Sequence, residues 1–168
     1  MPIVEPLGPH MLDFVSHSAV QTHRLGLRLG RLLQSGDVLL FAGEYGAGKT
    51  TFIQGLAEGL DVTGLVTSPS FTLISEYRTG HALPLYHIDL YRLRSPEEVL
   101  GLGLEEILYG DGICAVEWAD RFLEVMPAAQ LLIHLSFLSE TKRVVRMTPV
   151  GPRYEQLIEE FKQGAFGH

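Results

Sequence analysis

Apolar residues recur along the first third of the chain at two spacings, which separate helices from strands. Across Ala19–Leu33 they fall three and four positions apart, with Ser18 as a candidate N-cap and Gly36 just beyond, which predicts an amphipathic helix. The run Val38–Ala42 is uninterrupted and is typical of a strand buried on both faces. Helical spacing returns over Lys49–Leu60. The order is therefore helix, buried strand, loop, helix.

The rest of the chain predicts mainly strands. "VTSPSFTLISEY" and "PLYHIDLYRL" alternate polar and apolar residues around the turn "RTGHAL", which predicts a hairpin. Ser95, with Pro96 next and Glu98 three positions on, forms a capping box that opens a helix. The remaining predicted elements are a short strand over 11–15, strands in "GICAVEW", "LLIHLSFL" and "RVVRMTP", and a surface helix over Tyr154–Gln163.

The segment "FAGEYGAGKTT" has the chemistry of a phosphate-binding loop. It matches G-x-x-x-x-G-K-[ST], in which glycines let backbone N–H groups surround phosphate oxygens. Lys49 is expected to neutralise the β- and γ-phosphates, and the Thr50 hydroxyl to bind Mg²⁺. The positive end of the following helix points at the same anion. The predicted nucleotide-binding residues are Gly43, Glu44, Tyr45, Gly46, Ala47, Gly48, Lys49, Thr50 and Thr51.

Together these elements predict one α/β domain spanning 1–168. Helices separated by buried strands indicate a three-layer P-loop NTPase-like fold with a mixed, mainly parallel sheet flanked by helices. Residues 1–10 contain three prolines and are expected to be an irregular lead-in. Residues 150–168 are expected to form a C-terminal helix and tail.

Two acidic residues end predicted strands and are candidates for the metal site. Mg²⁺ retains several waters and takes only one or two protein carboxylates. Asp89 in "YHIDLY" or Glu117 after "ICAV" would bind the metal while the other positions or activates the attacking water. Trp118 either stacks on a base or packs beneath the site. Arg92 and Arg94 either reach phosphate or belong to a solvated strand edge.

Charge and cysteine content narrow the function classes. With 20 acidic against 13 basic residues the formal charge is −7, which disfavours independent nucleic-acid binding. The single cysteine, Cys114, has apolar neighbours and indicates a buried reduced thiol. Neither a signal peptide nor the ~18 apolar residues of a membrane span are found. We expect a cytoplasmic protein without a membrane segment.

Several classes of nucleotide-binding protein share this loop. The chain lacks the N-K-x-D pattern of guanine recognition, so ATP is favoured over GTP, and it lacks an LSGGQ-like ABC signature. A small-molecule kinase would need a lid bearing several arginines, which the sequence does not show as a cluster. The residues alone thus indicate a small ATP-binding domain, with ATPase and stand-alone kinase both open.

Five blocks resemble the bacterial TsaE family, formerly YjeE, over about Leu25–Leu135. They are "GEYGAGKTTF", "VTSPSFTLISEY", "LPLYHIDLYRL", "EEVLGLGLEEIL" and "DGICAVEWADR", in this order and with these gaps. The resemblance implies the ATPase component of the machinery that makes N6-threonylcarbamoyladenosine at position 37 of tRNA. It further implies that ATP is hydrolysed to ADP, with Mg²⁺, in complex with the partner proteins TsaD and TsaB, allowing repeated turnover. Contact with tRNA would then occur only through the complex.

Residue roles follow from the same resemblance. Lys49 and Thr50 would serve the phosphates and Mg²⁺, and Asp89 matches a metal-associated aspartate of the family. Glu117 and Trp118 match the family's "EW" pair, which is linked to hydrolysis and the nucleotide site. The implied catalytic residues are Lys49, Asp89 and Glu117, and the implied metal ligands are Thr50, Asp89 and Glu117.

Three further segments are compared with the family pattern: one resembles a switch, one differs in sequence, and one has no match. The segment Thr67–Thr72 resembles a switch near the γ-phosphate, with Ser70 in place of a common threonine. Glu44–Tyr45 replaces the "DL" of many members, and the bulky Tyr45 is interpreted as facing a partner. The tail from Thr148 onward matches nothing clear and is assigned no role.

Overall fold

The computed structural model describes residues 10–44, 46–64 and 73–166. Three sequence predictions lie outside these residues: the irregular lead-in, apart from residue 10, and the predictions for Tyr45 and for Thr67–Thr72. The described strands are β1 Leu12–Ser16, β2 Val38–Ala42, β3 Ile74–Arg78, β4 Pro84–Asp89, β5 Ile113–Glu117, β6 Gln130–Phe137 and β7 Arg143–Val150. The described helices are α1 Ala19–Gly30, α2 Lys49–Gly59, α3 Pro96–Gly101, α4 Glu105–Leu108, a 3₁₀ helix Ala119–Val125, and α5 Pro152–Phe166.

The strands form one mixed sheet in the order β1-β7-β6-β2-β5-β4-β3. The four neighbouring strands β6, β2, β5 and β4 run parallel, whereas β7, β1 and β3 pair antiparallel at the two sides. The predicted hairpin is confirmed as β3 and β4. Glu117 lies opposite Phe41 of β2 and Asp89 of β4. Both acidic residues therefore lie at the carboxyl ends of the parallel strands, where β2 continues into the glycine-rich segment 43–48, here called the glycine loop.

Alternation along β2 divides the core into two layers, which confirms the predicted three-layer architecture. Leu39 and Phe41 pack toward α1, α2 and α5, which we call the close-packed layer. Val38 and Leu40 pack toward α3, α4 and the 3₁₀ helix, which we call the open layer. No helix in the described ranges is long and apolar enough to cross a membrane.

Helices α1 and α2 touch through their backbones. A Cβ added at Gly26 would collide with the carbonyl oxygen of Phe52, and one at Gly55 with that of His23. The same holds for Gly30 against Leu56 and for Gly59 against Leu27. Glycines four residues apart on both helices therefore form a seam that brings the helices closer than side chains would allow. This seam fixes α2, whose first turn carries Lys49.

Helix α1 is shorter than predicted, and the α3 region is broken. The amides of Leu32 and Leu33 bond carbonyls three residues back, so the chain tightens after Gly30 instead of continuing the helix. The predicted N-cap is confirmed, since the Ser95 hydroxyl accepts from the Glu98 amide at 3.2 Å, whereas the Glu98 carboxylate accepts the amide of Arg94 rather than that of Ser95. A left-handed Gly103 then separates α3 from α4.

The C-terminal helix has a structural role that the sequence analysis did not assign, and the expectation of a surface helix was only half right. One face of α5, including Leu157, Ile158 and Phe161, is buried in the core. The Tyr154 hydroxyl accepts the Val38 amide at 2.8 Å. Arg153 forms a two-point ion pair with the buried Asp37, at 3.0 and 2.8 Å. Helix α5 thus anchors the start of β2.

Candidate nucleotide-binding site

The glycine loop adopts a backbone that side chains would not permit. Gly43, Gly46 and Gly48 have φ values of 136°, 81° and 104°, all in the left-handed region. At Gly43 a Cβ would also collide with the Leu135 carbonyl oxygen of β6. The backbone at Gly43 therefore passes directly over the ends of β2 and β6, and a loop with left-handed glycines of this kind can turn backbone amides toward a phosphate.

Helix α2 begins at Lys49 directly behind this loop. Gly48 is its N-cap, and no side chain among the described residues caps it. The first-turn amides of a helix have no intrahelical partners, and the helix dipole adds partial positive charge there. Together with the cradle of glycines, this helix start satisfies the requirements of a phosphate site.

Lys49 is buried inside the loop that it follows. Its ammonium donates to the carbonyl oxygens of Gly43 at 2.5 Å and Glu44 at 3.4 Å. It also lies 3.6 Å from the ring centroid of Trp118, a cation–π contact. Burial lowers the pKa of Lys49, and the nearby Glu117 carboxylate opposes that shift. The charge is thus held at the loop by groups that a phosphate would replace.

The two predicted acidic residues meet at the same place but in different surroundings. Asp89 is partly exposed, and its Oδ1 accepts the Tyr91 amide at 2.9 Å. Burial raises the pKa of Asp89, with a further contribution from the Glu117 charge. Glu117 is 4% exposed. Asp89 therefore faces solvent more than Glu117 does.

A buried histidine that the sequence analysis passed over holds Glu117. His87 is fully buried, and its Nε2 lies 2.7 Å from Oε2 of Glu117. With Glu117 ionised, the imidazole Nε2–H is the donor, and Nδ1 is buried with no hydrogen-bond partner within the described residues. The Oε2 atom of Glu117 is thus held by His87, and the second carboxylate oxygen is left for contacts in the cavity. The seven histidines form no metal cluster within the described residues, yet one of them belongs to the site.

Trp118 is held in a left-handed conformation, φ 63° and ψ 23°, which is uncommon for a bulky residue. Its amide donates to the Phe41 carbonyl at 3.0 Å. Its ring lies 5.0 Å from that of Tyr91 and 4.8 Å from the Arg121 guanidinium. The indole is therefore surrounded by cations and by a tyrosine, at the acidic end of the site.

These side chains enclose a cavity of about 320 Å³. It brings together most of the residues predicted for the site, with Tyr91 in addition: Gly46, Gly48, Lys49, Thr50, Thr51, Asp89, Tyr91, Glu117 and Trp118. Gly43 and Glu44 contribute backbone carbonyls to Lys49, and Ala47 is buried beneath the loop. Arg92 and Arg94 do not line it; they border a separate cleft.

A second cavity of about 270 Å³ adjoins the other side of the loop. It shares Gly46, Gly48 and Thr51 with the first, and its remaining lining comes from distant parts of the chain: Ser18, Ala19, Thr22, Glu140, Thr141 and Arg143. These residues start α1 and flank the β6–β7 turn. Sequence reasoning missed them because only the folded sheet brings the turn to the loop.

The donor set fits a nucleotide with Mg²⁺. Three left-handed glycines and a buried lysine form a cradle for an anion. The oxygen groups of Thr50, Asp89 and Glu117 line one cavity, and oxygen ligands suit Mg²⁺. The residues present are therefore those that would hold both groups.

Comparison with known proteins places the site in context. The model of the family "Threonylcarbamoyl adenosine biosynthesis protein TsaE" matches residues 16–145. The TsaE protein of Bacillus subtilis is 48% identical over 128 residues, covering 76% of this chain and 79% of that protein. The TsaE protein of Treponema pallidum is 42% identical, covering 78% and 96%. Both are named as tRNA threonylcarbamoyladenosine biosynthesis proteins.

The crystal structure of Bacillus subtilis YdiB superposes with a TM-score of 0.80 at 38% identity, covering 92% of this chain and 95% of that one. This neighbour and the matched family have a P-loop NTPase-like fold, in agreement with the architecture predicted from the sequence.

Proposed function

The chain belongs to the TsaE family, and from that premise we propose that it binds ATP with Mg²⁺ and hydrolyses it to ADP and phosphate. The hydrolysis would serve the formation of N6-threonylcarbamoyladenosine at position 37 of tRNA. One observation carries the proposal: Lys49, Asp89 and Glu117, from α2, β4 and β5, converge on one cavity beside the glycine loop. Fixed charges at that place would stabilise the transition state of phosphoryl transfer.

The positions of the two cavities, on either side of the glycine loop, suggest how a nucleotide would be oriented in the site. The γ-phosphate would lie in the cavity with the acidic residues, where Lys49 offers its charge. The nucleoside would lie in the cavity beyond Gly46 and Gly48, which is lined by Thr22 and Arg143. The shared loop residues would contact the phosphates between them.

The side chains divide the chemistry according to burial. Glu117, anchored through one oxygen by His87, would position and activate the attacking water with the other oxygen. Asp89 is less buried and would take the metal, directly or through water, together with the Thr50 hydroxyl. Bound Mg²⁺ would supply charge neutralisation on the phosphates. Lys49 would exchange its loop carbonyls for phosphate oxygens, at little cost in hydrogen bonds.

The negative charge of the chain is the reason for including partner proteins in the proposal. A chain with a formal charge of −7 repels tRNA over long range. We therefore place it in complex with the TsaD and TsaB proteins, where its ATPase would allow repeated turnover and tRNA would be contacted through the complex. The cytoplasm is the compartment that this role requires.

The decisive experiment measures phosphate release from ATP with and without TsaD–TsaB, at several Mg²⁺ concentrations. The expected result is a Mg²⁺-dependent ATPase that the partners stimulate. Lys49→Ala should abolish nucleotide binding. Glu117→Gln should slow hydrolysis about 100-fold or more while binding is retained, because it removes the base and little else.

A matched control and a chemical screen complete the test. Glu106→Gln removes an exposed carboxylate on α4 and should leave hydrolysis unchanged. Products should also be screened for a phosphorylated metabolite. Robust phosphorylation of a small acceptor without partners would instead assign the chain to the stand-alone kinases. Unchanged hydrolysis in Glu117→Gln would refute the role given to that carboxylate.

A further inference from the structure

An arginine-lined cleft of about 740 Å³ opens beside the nucleotide cavity, on the open layer. Arg92 and Arg94 come from the segment that joins β4 to α3, and Arg121 comes from the 3₁₀ helix. Tyr91, Leu93 and Phe122 lie between them. The sequence shows no such cluster because Arg121 is distant from the other two along the chain. The fold alone assembles it.

Within the described residues, none of these three arginine side chains has a carboxylate partner. Arg121 donates to the Tyr91 carbonyl oxygen at 3.0 Å, and the nearby Glu98 carboxylate accepts the backbone amide of Arg94. By contrast, Arg146 and Arg153 are paired with aspartates at 2.9 and 2.8 Å. The cleft thus concentrates unneutralised positive charge on a chain whose formal charge is −7.

We propose that this cleft docks an acidic segment of a partner protein, with guanidinium groups binding carboxylates. Arginine binds a carboxylate through two parallel hydrogen bonds, and mixtures of arginine with aromatic residues are typical of protein interfaces. The apolar floor of Leu93 and Phe122 suits apolar side chains between the acidic ones. RNA fits less well, since it needs an extended basic surface and is repelled by the rest of the chain.

The cleft and the nucleotide cavity share contacts that would couple them. The Arg121 guanidinium lies 4.8 Å from the Trp118 ring, and the Lys49 ammonium lies 3.6 Å from the same ring. Tyr91 lines both cavities. A carboxylate that draws Arg121 into the cleft changes the surroundings of Trp118 and so of Lys49. By linkage, nucleotide must change the affinity for the segment by the same factor.

Docking can be measured without any ATPase assay. The probe is a fluorescein-labelled peptide of twelve alternating glutamates and leucines, and the comparison ligand is a twelve-nucleotide single-stranded RNA. Anisotropy should show peptide binding that weakens at least about tenfold in the double variant Arg92→Ala/Arg94→Ala. The control Arg24→Ala/Arg31→Ala removes the same charge from two exposed positions, one in α1 and one directly after its end, and should bind as the parent does.

Three results would overturn the docking proposal: no peptide binding to the parent protein, equal weakening in the two double variants, or RNA bound more tightly than peptide and lost in the cleft variant. Thermal melts of all variants distinguish lost binding from lost folding. The emission of Trp118, the single tryptophan of the chain, provides a second readout. It should shift on peptide binding to the parent, and an unchanged emission would refute the contact through Arg121.

The coupling rests on the proposed function and is tested separately with TsaD–TsaB. The cleft variant should keep the basal ATPase of the parent and lose at least about tenfold in affinity for the pair, together with the stimulation. Undiminished stimulation would overturn the proposal for these partners. If the parent showed no ATPase at all, the proposed function would fail while the peptide and partner affinities still decided the docking site.

Discussion

The two helical layers cover the same sheet in different ways. In the close-packed layer, α1 and α2 meet through glycine backbones at Gly26, Gly30, Gly55 and Gly59. In the open layer, α3 and α4 are only six and four residues long. Apolar side chains there stay exposed, such as Leu100 at 49% and Tyr109 at 68%. One layer is packed to backbone contact, whereas the other is covered by short helices that carry exposed apolar side chains.

This difference matches a division of labour. His87, Asp89 and Glu117 project from the sheet on the side of α2, where they need fixed positions to within fractions of an ångström. The arginine-lined cleft lies on the other side, among short helices with exposed apolar residues. Under the two proposals above, close packing would support the chemistry, and the loosely covered face would bind a partner. The following experiments test that contrast.

The largest effect concerns Cys114, which is buried beneath the open layer. Burial raises the pKa of its thiol from 9.0 to about 12. At pH 8 the thiolate fraction is therefore about a thousandfold lower than for an exposed thiol. Iodoacetamide should therefore modify the closed native state at least about a thousandfold more slowly than the urea-unfolded chain, so that faster labelling reports opening of the structure above the thiol.

The dependence on pH and urea shows which motion exposes the thiol. Sγ contacts the Ile107 carbonyl of α4 at 3.5 Å, so opening of α3 and α4 should suffice. Labelling should then be nearly independent of low urea and level off near pH 9, the range of an exposed thiol. A rate that follows global unfolding would show that the open layer is as tightly held as the other. A rate still rising between pH 9 and 11 would indicate reaction in the closed state.

The next effect is on stability, at the glycine seam. Gly55→Ala places a methyl group against the His23 carbonyl oxygen and should lower the free energy of unfolding by about 2–3 kcal/mol. Gly101→Ala, in α3 of the open layer, meets nothing within 4 Å and should be neutral or slightly stabilising. Urea denaturation of both variants measures the difference. Equal stabilities would remove the contrast between the layers.

Local patterns predicted much of the fold. Residues Val38–Ala42 are observed as the predicted strand, and Ser95 is the N-cap of α3 as expected. The glycine loop, strand and helix also follow from short-range spacing, because a phosphate cradle is built from consecutive residues. The seam is recognisable in retrospect, since Gly26 and Gly30 repeat at the same interval as Gly55 and Gly59.

Features made by strand register were not predictable. His87 and Glu117 share a face only because β4 and β5 pair with Asp89 beside Glu117. One residue of slip would turn the imidazole to the other side of the sheet. The second cavity and the arginine-lined cleft likewise combine residues more than 25 positions apart along the chain. Composition and periodicity contain no information about which residues distant in the sequence come into contact in the folded chain.

A smaller effect is expected at His87 on the catalytic side. His87→Leu keeps the bulk but removes the donor to Glu117, and kcat should fall about 10- to 100-fold with KM changed less than about twofold. His87→Gln places an amide N–H at a similar reach and should restore part of kcat. Steady-state ATPase assays, with melting temperatures as a folding check, measure both. Equal activity of the two variants, or a loss only in KM, would argue against a positioning role.

The smallest effect compares two tyrosines, one on each layer. The Tyr154 hydroxyl is buried and accepts the Val38 amide at 2.8 Å, so Tyr154→Phe leaves that amide unpaired where α5 anchors β2. The expected loss is about 1–2 kcal/mol of unfolding free energy. Tyr109→Phe removes the same hydroxyl at 68% exposure in the open layer and should change stability by less than about 0.5 kcal/mol. If both variants unfold at the same urea concentration, the anchoring hydrogen bond contributes nothing measurable, and the close packing must come from apolar contacts alone.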